Sequence, residues 1–331
     1  MASYHSTREG FLKMLSAQIA HKAGVELSPE QIVEMLCAEA QFKHHVEPPT
    51  ANVGMEYGEL ESVVEYLLYR LGRFEERNSP SIIEGLAERL VNDPMLNEMW
   101  LPVRGKFAEV MTRQVNDPAT KSLDFSELFQ FACDQYGIDG LSLAWEMVED
   151  QQRQAVKNAI SACREIEWKD TVELEMLFKS ERLETQYGTF FDQRFIDYLH
   201  RNYGDIGEIH WRQFEALTAE FFKREGLEVE LGPGRNDENI DVRVWPKDGN
   251  MAEPPLIIIQ CKRQKEKVGK VVLKALYADL LDQKAKTGLI VTTSELSPGA
   301  WNVRKARSYP IGTAERKSIK KWIDKMRKPG L

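Results

Sequence analysis

Over roughly the first 200 residues, apolar positions recur at intervals of three and four, the spacing of one face of a helix. Leu60, Val63, Val64, Leu67, Leu68 and Leu71 form one such stripe, with Gly72 where a left-handed cap would end the helix. Similar stripes run over Ile82 to Leu90 and over Leu128 to Tyr136, the second behind a candidate Asp124 cap. A longer one extends from Leu141 to about Ile166. Leu27-Ser28-Pro29-Glu30-Gln31 has the residues of a helix start: an apolar staple, a Ser cap, Pro at the first position and Gln at the third. Pro48-Pro49, Asn92-Asp93-Pro94 and Asn116-Asp117-Pro118 read as turns. Trp100, Trp145 and Trp168 lie on the stripes and are expected in the core.

The pattern changes near Asn202 to Gly207, which reads as a linker or hinge. One more helix is predicted over about Ile209 to Glu225. Then come β-like runs at Leu227 to Leu231, Ile240 to Trp245 and Leu256 to Lys262, with turn residues at Gly232 to Asp237 between the first two. A helix over Val268 to Lys286, a buried strand over Gly288 to Thr293 and a helix over Pro298 to Arg307 follow. A basic amphipathic helix from Glu315 to Lys328 closes the chain, with Ile319, Trp322, Ile323 and Met326 on one face. This order predicts a mixed sheet flanked by helices, behind an all-α N-terminal domain. The expected division is 1–201, a linker over 202–208, and 209–331.

Charge separates the same two parts. Residues 206–331 hold 24 Lys and Arg against 17 Asp and Glu, a balance of +7, whereas residues 1–205 stand at −15. The basic part suits phosphate contact and the acidic part would repel a polyanion. Four cysteines without a C-x-x-C pair point to a reducing compartment, and the polar Met1 to Gly10 segment does not read as a signal peptide. No apolar run approaches the ~20 residues of a membrane span. A cytoplasmic protein is expected. His44-His45 has no third metal-ligand residue near it at suitable sequence spacing.

Candidate chemistry concentrates on the two central strands. Alternation predicts Ile240, Val242 and Val244 on one side with Asp241 on the other, and Gln260 and Lys262 together, away from Ile257, Ile259 and Cys261. A carboxylate, an amide oxygen and a lysine at adjacent strand ends would make a hard-cation site beside an ammonium, equipment for hydrolysing a phosphodiester. Cys261, on the apolar face with no His near it, reads as a core residue rather than a nucleophile. Arg235, Arg263, Lys265 and Lys267 flank these strands and are candidates for nucleic-acid contact.

At these residues the C-terminal region resembles the Mrr-like branch of the PD-(D/E)xK restriction-endonuclease superfamily. Trp211 to Glu215, in the helix that leads to Lys223 to Leu227, is similar to the family's first helix with its Glu. Arg235 to Val242 resembles the Gly-Asp-Gly-Gly-Ile-Asp segment, with Glu238-Asn239 where Gly-Gly is common. Ile258 to Arg263 resembles the Q-x-K strand, and Leu289 to Ser294 with Ala300 the next strand and helix. The likeness spans roughly 207–325, and Ile311 to Ser318 fits the family's last strand only loosely.

The resemblance implies a restriction-endonuclease-like α/β domain that hydrolyses phosphodiester bonds with Mg²⁺, for which Mn²⁺ can substitute, acting on DNA in restriction or anti-phage defence. It implies Asp241 as a metal ligand and Gln260, in place of an acid, as a second ligand or water-orienting group, with the Cys261 carbonyl alongside. Lys262 would orient or deprotonate the attacking water. Glu215 would serve as an outer ligand or as the partner of Lys262. Two alternatives stay open: a catalytically silent nucleic-acid-binding module, and a complex subunit active only with a partner. The helical N-terminal part is expected to regulate, to bind a protein partner or to form a homo-oligomer.

Overall fold

A computed structural model describes all residues except 1–2, 48–51, 78–80, 120–121, 159–160, 165, 184, 235–239 and 328–331. The N-terminal region contains β1 (Ser3–Thr7), α1 (Arg8–Ala23), β2 (Val25–Glu26), α2 (Pro29–Cys37), β3 (Asn52–Glu56) and α3 (Tyr57–Arg70). It continues with α4 (Leu86–Asn92), α5 (Pro94–Val115), α6 (Ser126–Lys157), β4 (Val172–Glu173), α7 (Glu175–Lys179) and α8 (Gln193–Arg201). The region is helical, as the periodicity predicts, and α2 starts with the full Ser28/Gln31 capping box. Two small ribbons, antiparallel β1–β3 and parallel β2–β4, are additions that helical periodicity cannot reveal. Gly137 (φ 61°) breaks α6 between the two predicted stripes, and the helix ends at Lys157, short of the predicted Ile166. Trp100 and Trp168 are buried, but Trp145 is 55% exposed. Trp145 stacks on Phe129 and donates to Glu149 Oε1 on the outer side of α6.

The C-terminal region comprises α9 (Trp211–Arg224), β5 (Glu228–Leu231), β6 (Val242–Trp245), β7 (Ile257–Lys262), α10 (Lys270–Asp282), β8 (Thr287–Thr292), α11 (Pro298–Ala306), β9 (Ile311–Ala314) and α12 (Arg316–Met326). Its five-stranded mixed sheet runs β5-β6-β7-β8-β9. β5, β6 and β7 are antiparallel neighbours, and β8 and β9 join in parallel. The edge strand β9, Ile-Gly-Thr-Ala, is buried at its two ends rather than at alternate positions, so it carries no period-two pattern of its own.

The sheet has two unlike faces. Ile258, Ile290, Leu273, Leu276 and Ala300 form a core beneath α10 and α11. The other face, with Val242, Val244, Ile259 and Cys261, meets α9 and continues without a break into α8, α3 and α1. Where a linker is predicted, Tyr203–Gly207 forms a 3-10 turn with Ile206 fully buried. Glu220 of α9 is 2% exposed and accepts the amides of Thr189 (2.9 Å) and Phe190 (2.7 Å). Arg224 donates to Gln193 Oε1 at 2.7 Å and to Met326 O at 2.8 Å. Trp322 of α12 stacks on Phe221 with ring centroids 4.3 Å apart. In contrast, α4, α5 and α6 enclose a separate core of Leu96, Trp100, Val103, Leu128 and Leu143.

Candidate active site

The end of β6 fixes the first site residue. Val242 faces Ile259 in the β6–β7 register, yet the Asp241 amide also donates to Ile259 O, at 3.0 Å. Two residues thus oppose one, the arrangement of a β-bulge. The offset interrupts the expected alternation. Ile240 packs with Ile258 and Ile290 under α10, on the opposite face from Val242 and Val244. Asp241 accordingly does not sit opposite Val242 as simple alternation predicts. Its carboxylate lies on the α9 side, where Oδ2 accepts the Cys261 amide at 2.6 Å. Gly232 closes the far side: its amide donates to Asp241 O at 2.8 Å, and an added Cβ would stand 2.8 Å from Ile240 O. Only a residue without a side chain lets β5 approach the bulge this closely.

Glu215 comes from the second turn of α9 and is 6% exposed. It hydrogen-bonds Asp241, and Arg212, one turn earlier on the helix, holds its Oε2 at 2.9 Å. Burial and then the Asp241 charge push the Glu215 carboxyl up to about 8, against the pull of Arg212. The two acids therefore share a proton at neutral pH, as two carboxylates in hydrogen-bond contact must. Glu215 has Arg212 and Asp241 as partners, and no bond to Lys262 joins them. Arg212 is not among the residues the sequence alone singles out, although its i, i+3 spacing from Glu215 is an available signal. Its guanidinium also lies against Gly234 (φ 84°), where a Cβ would meet Nη1 at 3.0 Å.

This shared proton has a measurable sign. Because the folded chain holds Glu215 neutral far above the usual carboxylate range, its contribution to stability is complete at pH below about 4.5. It is then lost as pH rises through about 8. In urea unfolding with a chelator, wild type should lose stability relative to Glu215→Gln as pH rises from 5 to 8, so the two slopes should differ in that sense. An unchanged slope in the variant would contradict the assignment.

β7 supplies the remaining residues. Cys261 is buried, its Sγ lies 3.5 Å from Thr218 Oγ1, and burial followed by the Asp241 charge holds the thiol well above its ordinary range. It is a neutral core group, as expected. Its carbonyl leaves the strand on the same edge as its amide, the edge occupied by Asp241. Gln260 and Lys262 project together, away from Ile259 and Cys261. Gln260 is 3% exposed, and its Oε1 has no hydrogen-bond partner among the described residues. Lys262 is half-buried, and among the described residues its ammonium makes no hydrogen bond or ion pair. The structure thus joins Asp241, Glu215 and the Cys261 backbone directly. Gln260 and Lys262 stand on the next strand without a bond to that pair.

The flanking cations are placed differently from one another. Arg263 donates to Gly207 O at 3.0 Å, Lys265 pairs with Glu208 at 3.0 Å, and Lys267 pairs with Glu295 at 3.0 Å. Arg235 and Glu238-Asn239 lie outside the described residues.

Residues 206–323 match the Mrr catalytic family, described as restriction endonuclease. The chain carries a restriction-endonuclease-like domain. Among solved structures, the MspJI restriction endonuclease in complex with a 27-mer oligonucleotide is similar at 17% identity, with a TM-score of 0.26. That likeness covers 39% of this chain and 30% of the MspJI chain, so less than a third of that relative's length is represented here. No curated protein matches the chain. Among the described residues no helix is long and apolar enough to cross a membrane. The family supports a nuclease, and domains of this kind usually employ divalent metal ions.

Proposed function

We propose that this protein is a metal-dependent endodeoxyribonuclease whose active site is built from Asp241, Glu215, Gln260, Lys262 and the Cys261 carbonyl. The observation that carries the reading is the carboxylate pair Asp241–Glu215, buried at a bulge in a domain that matches a restriction endonuclease family. Two acids that share a proton form a strong site for a hard divalent cation, because the cation takes the place of the proton. The orphaned Gln260 Oε1 is a further oxygen on the adjacent strand β7. These donors are all oxygens, which suits Mg²⁺ and admits Mn²⁺. When bound, such an ion polarises a phosphate and acidifies a coordinated water.

The chain's own residues supply the rest. Asp241, held by the Cys261 amide, is oriented before any ligand arrives. Arg212 fixes Glu215 and favours its ionised form once the shared proton has left. Lys262, with its ammonium uncommitted, stands ready to orient the attacking water and to stabilise negative charge growing on the phosphate. The +7 balance of residues 206–331 draws a polyanion to this region. The helical part at 1–201 regulates the nuclease part at 209–331 or docks a protein partner, in a cytoplasmic restriction or anti-phage defence role.

Plasmid cleavage tests the proposal. The full chain with Mg²⁺ or Mn²⁺ should nick or linearise DNA and lose that activity in a chelator. Wild-type protein that cuts no nucleic acid with either ion, yet binds DNA, would identify a silent binding module instead.

A further inference from the structure

We propose a second metal site, in the N-terminal region, formed by His44, His45 and Glu59 and suited to Zn²⁺. His44 and His45 lie in a 3-10 turn (Lys43–His45), and Glu59 lies in the first turn of α3. Their ligand atoms all lie within 4.8 Å of one another, and no other such group of His, Cys, Asp or Glu occurs among the described residues. His44 Nε2 stands 3.6 Å from Glu59 Oε1 and His45 Nε2 stands 3.0 Å from the same oxygen. Ligands about 2.0–2.1 Å from a tetrahedral Zn²⁺ are separated by roughly 3.3 Å, so both distances bracket what the ion needs.

A second observation points to a ligand. His45 is 5% exposed, and its Nε2 has no aligned hydrogen-bond partner despite its closeness to Glu59. A buried ring nitrogen left unsatisfied costs free energy unless something else meets it. His44 Nε2 and Glu59 Oε1 lie beside it, so the three groups that could share one ion are already gathered.

The surroundings hold the turn in place. Arg8 donates to Val46 O at 3.0 Å, Phe42 and Val46 are buried on either side, and the His45 ring packs edge-on to Phe11. His44 is exposed, so an ion can enter from solvent and a water can complete the fourth position. Two imidazoles and one carboxylate favour Zn²⁺ or another imidazole-binding metal over Mg²⁺, which separates this site chemically from the all-oxygen site on the sheet. Bound Zn²⁺ would staple the 3-10 turn to α3.

Metal titration of the full-length chain carrying Asp241→Asn tests this without interference from the sheet site. One Zn²⁺ per chain is expected, and Co²⁺ should give the visible absorption of a tetrahedral ion. Glu59→Gln or His44→Ala, added singly, should weaken Zn²⁺ binding at least about tenfold. Both replace side chains that are at least part-exposed, and melting curves in a chelator would verify that the variants fold. A chain that binds no Zn²⁺, or binds it equally well in both variants, overturns the proposal.

Discussion

Lys262→Ala should lower DNA cleavage by about 10²–10⁴-fold, the usual worth of a positioned proton-transfer group, while the protein remains folded. The expectation rests on what Lys262 does not do. Among the described residues its ammonium supports no carboxylate and no carbonyl, and it closes a strand whose packing is carried by Ile258, Ile259 and Cys261. Its removal therefore leaves no buried charge unpaired, the event that makes most charge deletions destabilising. DNA binding should weaken only as far as one lost phosphate contact allows, with a change of about one in the salt slope. Cleavage that persists at the wild-type rate would remove Lys262 from the chemistry. A parallel fall in melting temperature would make its role structural.

Truncation should have a still larger effect. A fragment beginning at residue 201 isolates the region that matches the nuclease family, yet it is expected not to fold. The face of the sheet under α9 shares its core with α8, α3 and α1, and Phe214, Leu217 and Ile319 belong to that core. Uncovering an apolar side chain of this size costs about 1.5–3 kcal/mol, and a handful of them consume the ~5–15 kcal/mol that stabilise a typical domain. Glu220 would also lose the Thr189 and Phe190 amides, leaving a buried carboxylate short of donors. Replacing residues 81–150 by a flexible linker should behave differently, because α4, α5 and this part of α6 pack on a core of their own, while Val156 and Lys157, which reach the shared core and Glu65, are kept. That variant should melt cooperatively. Residues 81–150 hold five Lys and Arg against 13 Asp and Glu, so their loss should raise cleavage if the acidic part keeps nucleic acid away. Circular dichroism of the fragment and plasmid nicking by the linker variant provide the measurements. A soluble, folded 201–331 fragment would show that the shared core is dispensable.

Much of this was legible in the residues themselves. The C-terminal strands and helices follow from period and turn chemistry, and Asp241, Glu215 and Gln260 are all buried where an ordinary surface residue would be exposed. The facing of Asp241 was not legible. Period-two alternation assumes an unbroken ladder, and the bulge at Asp241 and Val242 is a matter of which carbonyl receives an amide. Trp145 misled because a stripe position on a helix says nothing about whether another element covers it. The continuous core across residues 202–208 escaped for a related reason: polar and glycine-rich sequence describes a turn but not what packs behind it. Glu59 was invisible as a partner for His44-His45 because only the fold brings α3 back to the 3-10 turn.

The short bond from the Cys261 amide to Asp241 Oδ2 gives this molecule a natural observation post. An amide proton feels the charge of the oxygen it points at, so its nuclear resonance would move when the carboxylate pair exchanges its proton for a metal ion. A single nitrogen-labelled backbone position could then follow occupancy of the site in solution, without turnover, dye or bound DNA.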